Sequence, residues 1–258
     1  IRITDYRLPI TDNGSPMTEI LIRRNTVLEA LRGSRREIFT LWLQDGLDKK
    51  LAQPVREAAQ QRRVPIQTAD KQKIGRLAKD PSHQGMALEV GPYVYSEVDE
   101  ILALAEQRSE KPFLLLLDLL HGPQNIGALL RTAEICGVHG VIVQDRRAPE
   151  ITPAVVQYSA GAAEHLLVAQ VTNLVSTMRQ LQQNNVWLVG MDLAEDAQSL
   201  GQVDLNMPLG IVVGHEGQGM RRLVRETCDI RLMLPQKGKV ESLNAAVAGS
   251  ILIYQAWQ

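Results

Sequence analysis

Three short stretches put polar side chains directly after apolar ones. Residues 121–137 read HGPQNIGALLRTAEICG, with Asn125 near the start and Arg131 six residues later in a mostly apolar helix. An unpaired buried arginine is costly, because its desolvation is not repaid. Residues 212–223 read VVGHEGQGMRRL. Gly214, Gly217 and Gly219 allow a close backbone approach or a positive φ, and Glu216 among them is placed to bind a hydroxyl or to pair with an arginine. The spacing is neither the dinucleotide fingerprint nor a P-loop. Residues 232–257 read LMLPQKGKVESLNAAVAGSILIYQAW. Here Ser242, a candidate helix cap, and Asn244 precede a final apolar helix. Its small residues, from Ala245 to Ser250, let another backbone pack closely. Each stretch also has a plainer reading: an arginine that snorkels to water, a tight turn with a solvated carboxylate, a normally capped terminal helix.

The elements that must position these groups follow from the apolar pattern. PFLLLLDLL is a continuous apolar run of strand length, which suits a buried strand of a parallel sheet. GVIVQD, HLLVAQ, VWLVGMD, LGIVVG and IRLMLP read as further strands, with helical stretches between most of them. This is a doubly wound α/β pattern, in which ligands bind at the carboxyl ends of strands. All three polar stretches fall at such ends. Ahead of it, RRNTVLEALRG reads as a helix with Asn25 as cap and Gly33 as stop. Strands EIFTLWLQDG, VPIQTA and GMALEVG alternate with helices in a small α/β unit, Pro54 marking a first turn or a kink in one of them. The expected organisation is an irregular arm over 1–18, the small unit over 19–92, a linker helix over 93–111 and the larger α/β domain over 112–258.

Composition excludes several classes. With 45% hydrophobic and 22% charged residues the 258-residue chain is of ordinary globular type. Cys136 and Cys228 lack any CxxC or Cys/His spacing and read as reduced core thiols, and the five scattered histidines predict no metal site. No apolar run approaches the roughly 20 residues of a membrane span, and no secretory leader is read, so a cytoplasmic protein is expected. The net charge of −1 hides an asymmetry. Residues 1–92 carry 16 Lys and Arg against 11 Asp and Glu, whereas residues 93–258 carry 12 against 18. A basic first part on an acidic second part suits a polyanionic partner; a solvated basic surface is the alternative.

Together the three stretches resemble the three motifs of the SpoU/TrmH family of RNA ribose 2′-O-methyltransferases, in the SPOUT superfamily. The matching residues are Pro123 to Gly127 with Leu130 to Ala133; Val213 and Gly214 with Glu216, Gly217 and Gly219; and Leu234, Pro235, Gly238 and Val240, then Ser242, Leu243 and Asn244 with Val247 and Ala248. Residues 25–90 resemble the ribosomal-protein-like RNA-binding domain that precedes the catalytic domain in many members. The chain is most similar to the RlmB-like group, which methylates a guanosine ribose in 23S ribosomal RNA. It departs from the family where Gly122 replaces a common Asp, His215 a small residue, Gln236 a frequent Met, and Ala245 with Ala246 a common Val-Ser.

The resemblance implies a mostly parallel sheet with a deep trefoil knot, and a homodimer whose catalytic residues are shared across the interface. It implies S-adenosylmethionine as methyl donor beside Gly214, Leu234 and Leu243, with no metal. Arg131 becomes the expected activating residue, helped by Asn125, Glu216, Ser242 and Asn244. A free arginine stays protonated at ordinary pH and is a poor base. Arg131 is therefore expected to bind the hydroxyl oxygen and stabilise developing alkoxide charge, with Glu216 holding its guanidinium. Arg35, Arg36, Arg62 and Arg63 are the expected RNA contacts of the first domain. The rival readings are a transfer-RNA methyltransferase, a ribosomal antibiotic-resistance methyltransferase, and a catalytically silent RNA-binding or ribosome-assembly factor.

Overall fold

A computed structural model describes residues 18–33, 35–145, 150–192, 194, 197–239 and 242–258. Almost all of the expected arm, and Val240 of the third motif, lie outside the described residues. The first elements are β1 (Glu19–Ile22), α1 (Arg24–Arg32), β2 (Ile38–Gln44), α2 (Lys49–Gln61), β3 (Ile66–Ala69), α3 (Lys71–Ala78) and β4 (Met86–Val90). There follow α4 (Val98–Gln107), β5 (Phe113–Leu117), α5 (Pro123–Ile135), β6 (Gly140–Gln144), α6 (Pro153–Tyr158) and a 3-10 turn, Ala162–Glu164. The rest are β7 (Leu167–Val171), α7 (Leu174–Gln183), β8 (Trp187–Met191), β9 (Gln198–Ser199), β10 (Leu209–Val213), α8 (Arg222–Thr227), β11 (Ile230–Met233) and α9 (Ala245–Trp257). Among the described residues no helix is long and apolar enough to cross a membrane.

Contacts divide the chain into two units. One holds the described residues up to Val94 together with Ile151–His165; the other holds Tyr95–Glu150 and Leu166–Gln258. The first unit is built on a four-stranded sheet in the order β1-β4-β2-β3, with β4 antiparallel to both neighbours and β3 parallel to β2. Helix α1 buries Val27, Leu28 and Leu31, and α2 buries Val55, Ala58 and Ala59, the spacing of an amphipathic helix. Asp48 caps α2 by accepting from the N–H groups of Lys50 and Leu51, and the helix runs unbroken through Pro54 in its second turn. Arg23, not Asn25, stands at the cap position of α1, without a side-chain capping bond. Gly33 does end that helix, and a Cβ there would meet the Glu164 carbonyl oxygen at 2.6 Å.

That contact marks what the sequence did not reveal. Residues 151–165 lie between β6 and β7, inside the stretch expected to be the larger domain, yet they pack with the first unit. Arg36, its side chain fully buried, holds them: Nε lies 3.0 Å from Glu164 Oε1, Nη1 donates to Glu19 at 2.6 Å and to the Gly91 carbonyl, and the guanidinium sits 5.2 Å from the Tyr93 ring centre. The Tyr93 hydroxyl donates to the Ala163 carbonyl at 2.9 Å.

The second unit has a seven-stranded sheet in the order β7-β6-β5-β10-β8-β11-β9, with every pairing parallel. Its centre is as apolar as the sequence demands: Leu114, Leu116, Ile142 and Val212 are fully buried. Helix α9 packs on α5 and β10 at Gly249, where a Cβ would approach Leu129 Cδ2 to 2.8 Å and Val213 Cγ2 to 2.9 Å. Across the same helix pair Thr132 Oγ1 donates to Ser250 Oγ at 3.0 Å. The small residues of the last helix thus serve close packing, and they bring the loop after β11 back beside the loops after β5 and β10.

Candidate active site

The three polar stretches meet at the carboxyl ends of β5, β10 and β11. Pro123 opens α5 behind Gly122, whose φ of +89° lies in the left-handed region a glycine accepts. Asn125 is thereby set in the first turn of α5. The loop after β10 folds back on itself: His215 N–H donates to Gly219 O at 3.0 Å and Gly219 N–H to His215 O at 2.9 Å. A Cβ on Gly214 would strike the Gly219 carbonyl carbon at 2.4 Å, so only glycine fits there, and Gly217 and Gly219 have φ of +83° and +67°, which glycine adopts without strain. This fold-back presents Glu216 outward. Asn244 caps α9, its Oδ1 accepting from Ala246 N–H and Val247 N–H. The sequence pointed to Ser242 for that cap. Asn244 takes it because it immediately precedes the first helical residue, within reach of those two donors.

Asn125, Glu216 and Asn244 close a ring of hydrogen bonds across the three loops. Asn125 Nδ2 donates to Glu216 Oε2 at 2.9 Å, and Asn244 Nδ2 donates to Glu216 Oε1 at 2.8 Å and to Asn125 Oδ1 at 3.0 Å. Beside the ring lies a cavity of about 230 Å³, whose walls include Gly214, Glu216, Leu234, Ser242 and Leu243. The three residues expected at the cofactor and two of those expected at the reaction therefore share one space. Asp192 adds a second carboxylate to its wall, and His215 Nδ1 is buried without a hydrogen-bond partner. Among the described residues no group of three His, Cys, Asp or Glu comes together.

Arg131 stands apart from this ring. It is exposed on α5 and has no hydrogen bond or ion pair among the described residues. Six residues along a helix carry it about 9 Å along the axis from Asn125. The expected contact between Glu216 and Arg131 is not made within one chain: Glu216 accepts from the two asparagine amides, and no ion pair joins it to Arg131 among the described residues.

The four arginines expected to meet RNA have separate fates. Arg36 is wholly buried in its pair with Glu164 and Glu19, which leaves no donor at the surface. Arg62 Nη1 donates to the carbonyls of Ala30, Leu31 and Gly33 and so closes the end of α1. Arg35 donates to Val94 O at 3.0 Å. Arg63 alone of the four is exposed with an unengaged side chain among the described residues.

Sequence reasoning missed Asp118. Its fully buried carboxylate, just past β5, accepts from Arg221 N–H at 2.8 Å and from Nε at 2.7 Å, and the guanidinium Nη2 lies 2.6 Å away as an ion pair. Arg221 Nη2 also donates to Gln144 at 2.8 Å, so the end of the glycine loop is tied to β5 and β6. The signal available was a lone acid closing the run FLLLLDLL. Asp118→Ala should cost about 2 kcal/mol, the scale of hydrogen bonds to a charged group when the arginine can partly rehydrate. An unchanged Tm would refute the clamp. Burial pushes the Cys228 thiol up to about 12 and raises that of Cys136, consistent with core thiols of low reactivity.

Comparison with known proteins adds to this geometry. Residues 112–254 match the model of the SpoU rRNA Methylase family, and residues 24–96 match that of RNA 2′-O ribose methyltransferase substrate binding. YacO of Bacillus subtilis (strain 168), named as a TrmH family tRNA/rRNA methyltransferase, is 40% identical over 95% of this chain and 97% of its own length. Among solved structures, the SpoU methyltransferase AviRb from Streptomyces viridochromogenes, in complex with AdoMet, superposes with a TM-score of 0.76 at 24% identity, covering 93% of this chain and 89% of that one. An AdoMet-bound rRNA methyltransferase from Sinorhizobium meliloti gives a TM-score of 0.74 at 20% identity, over 93% and 86%.

Proposed function

Because this chain belongs to the SpoU rRNA methylase family and is an RNA methyltransferase, we propose that it methylates a ribose 2′-hydroxyl of 23S ribosomal RNA, at a guanosine, from S-adenosylmethionine. The observation that carries this reading is the Asn125–Glu216–Asn244 ring closed beside one cavity. The cavity fits the methyl donor, a cationic molecule with polar groups around it. Glu216 and Asp192 supply carboxylates, the glycine loop supplies close backbone, and His215 Nδ1 lacks a partner. When bound, the donor supplies a methyl group already activated on a sulfonium. The protein then mainly has to align the hydroxyl with it.

Gly214, Leu234 and Leu243 line the donor's place, and Ser242 lines the same cavity. Asn125 and Asn244 hold Glu216 by both oxygens, which fixes the carboxylate that faces the substrate. Arg131 binds the hydroxyl oxygen and stabilises the alkoxide charge that develops as the proton leaves for solvent or an RNA phosphate. Its exposure and lack of a partner within one chain suit a site completed by a second copy. Val247, Ile251 and Tyr254 of α9 are exposed along a groove shared with α5, an apolar face fit for a homodimer. Mixing Arg131→Ala protein with Asn244→Ala protein should then restore part of the activity that each lacks alone. No recovery, with mixed dimers verified by mass, would contradict sharing across the interface. The reading carries with it the trefoil knot of the catalytic domain and a cytoplasmic setting.

Transfer RNA is the second reading, because the Bacillus relative's name joins tRNA and rRNA. Labelled methyl transfer to purified 23S ribosomal RNA and to bulk transfer RNA separates them. Label in 23S RNA, mapped to one guanosine, is expected; label in transfer RNA alone would overturn the choice.

A further inference from the structure

The first unit contains a cavity of about 630 Å³ whose cations are not neutralised by the fold. It opens at the start of α1, with Arg23, Arg24, Asn25 and Thr26 on one side and Gln84 and Gln157 among the residues opposite. Arg24 is the anomaly. Its guanidinium makes no hydrogen bond or ion pair among the described residues, and its Nε is buried without a partner. A half-buried cation in that state loses water without gaining an acceptor, a cost that folded proteins seldom leave standing.

Around Arg24 the other groups are held in place, Gln157 among them: its amide oxygen accepts from Arg23 Nε at 3.1 Å and Nη2 at 2.8 Å. Arg23, at a left-handed φ of 69°, donates to Ser82 Oγ through Nε at 3.3 Å and Nη2 at 2.8 Å. Ser82 in turn donates to Asp80 at 2.6 Å. The backbone strain at Arg23 and this chain of bonds fix one guanidinium at the mouth of α1. The first turn of α1 has no side-chain cap; Gln84 Oε1 accepts from Arg24 N–H at 3.0 Å, and the N–H groups of Asn25 and Thr26 have no acceptor among the described residues. Thr26 is 2% exposed, lines the cavity, and its side chain also lacks a partner. The carboxylate one turn on, Glu29, is engaged by Arg32 and His165. Two guanidinium groups, two open backbone N–H groups and a buried hydroxyl converging on one space are the donor set of an oxyanion site.

We propose that this cavity holds a backbone phosphate of the RNA substrate, with Arg24 as its main contact and Arg23 fixed beside it. The proposal rests on the RNA-methyltransferase reading, and it moves RNA recognition away from Arg36, which pairs in the interior, and from Arg62, which closes the end of α1. The phosphate is taken to be a phosphodiester of the polymer; a free phosphate has the same chemistry and is separated by experiment.

The test is equilibrium binding of bulk bacterial ribosomal RNA at several salt concentrations, to the full chain and to two variants. Arg24→Ala should weaken RNA binding by about tenfold at low salt and reduce the salt slope by about one, while calorimetric binding of S-adenosylmethionine is unchanged. Asn25→Asp places an anion at the helix start, which favours the helix but repels phosphate. It should leave Tm unchanged or raised and still weaken RNA, so misfolding cannot account for the loss. RNA affinity and slope unchanged in both variants would overturn the proposal. Inorganic phosphate binding that needs Arg24, with RNA affinity untouched by either variant, would also overturn it in favour of a free anion. No RNA binding by the unaltered chain would instead count against the RNA-methyltransferase reading itself.

Discussion

Arg131→Ala should abolish methyl transfer, a loss of about 10³-fold in kcat, with Tm changed by no more than a degree or so. The two halves of that expectation have different sources. Removing one preorganised donor from a developing oxyanion costs about 10²–10³-fold in other enzymes, and Arg131 brings a full charge rather than a neutral donor. The fold, by contrast, asks nothing of the side chain: it is exposed on α5 and bonds to no described residue. Surface substitutions of that kind stay within about 0.5 kcal/mol. Arg131→Lys should also be severely impaired, because a point charge does not reproduce the planar fork. Near-wild-type turnover by Arg131→Ala, with RNA and donor saturating, would remove Arg131 from the reaction and leave the Asn125–Glu216–Asn244 ring to be explained another way.

The second large effect is on stability. Arg36→Ala should destabilise the first unit by about 3–5 kcal/mol, because it strands the Glu164 carboxylate, itself fully buried. The pair is close but poorly aligned. Arg36 Nε is 3.0 Å from Glu164 Oε1 without the geometry of a hydrogen bond, and Arg36 Nη2 and Glu164 Oε2 are buried without partners. Replacing both by apolar residues of similar size, Arg36→Met with Glu164→Leu, should therefore recover most of the loss. The pH dependence carries a sign. Burial raises the Glu164 pKa above the ordinary glutamate range, against the pull of Arg36. Losing Arg36 removes that pull and leaves the protonated acid still more favoured in the folded state. The variant's stability is then fully kept below the unfolded pKa and declines as pH rises through the folded one. Thermal melts of Arg36→Ala at pH 5 and pH 8 should differ accordingly; equal loss at both would contradict the assignment.

What the sequence made legible depends on how each signal is encoded. The parallel sheet was readable because strands buried on both faces are continuous apolar runs, as in FLLLL and LGIVV. The ring was readable because its three members stand in separate motifs, each fixed to the end of a strand. β1 was missed, since EILI is only four residues long and runs straight into two arginines. The arginines misled for a general reason. RR reads the same whether a guanidinium faces solvent, as at Arg63, or closes a helix end, as at Arg62, or pairs in the interior, as at Arg36. Only the partner decides, and Glu164 lies 128 residues from Arg36 in the chain. The same distance hid the membership of residues 151–165 in the first unit. Ser242 and Asn244 are both good capping residues, and two positions of register separate them.

The central claim is that the reaction at the Asn125–Glu216–Asn244 ring transfers a methyl group to a ribose oxygen. The direct measurement is labelled methyl transfer from S-adenosylmethionine to ribosomal RNA, digestion to nucleosides, and mass analysis of the labelled species. The account predicts that the label is found on the 2′-oxygen of ribose and disappears in Arg131→Ala. Label on a nucleobase, or none from a protein that binds both RNA and donor, would contradict it.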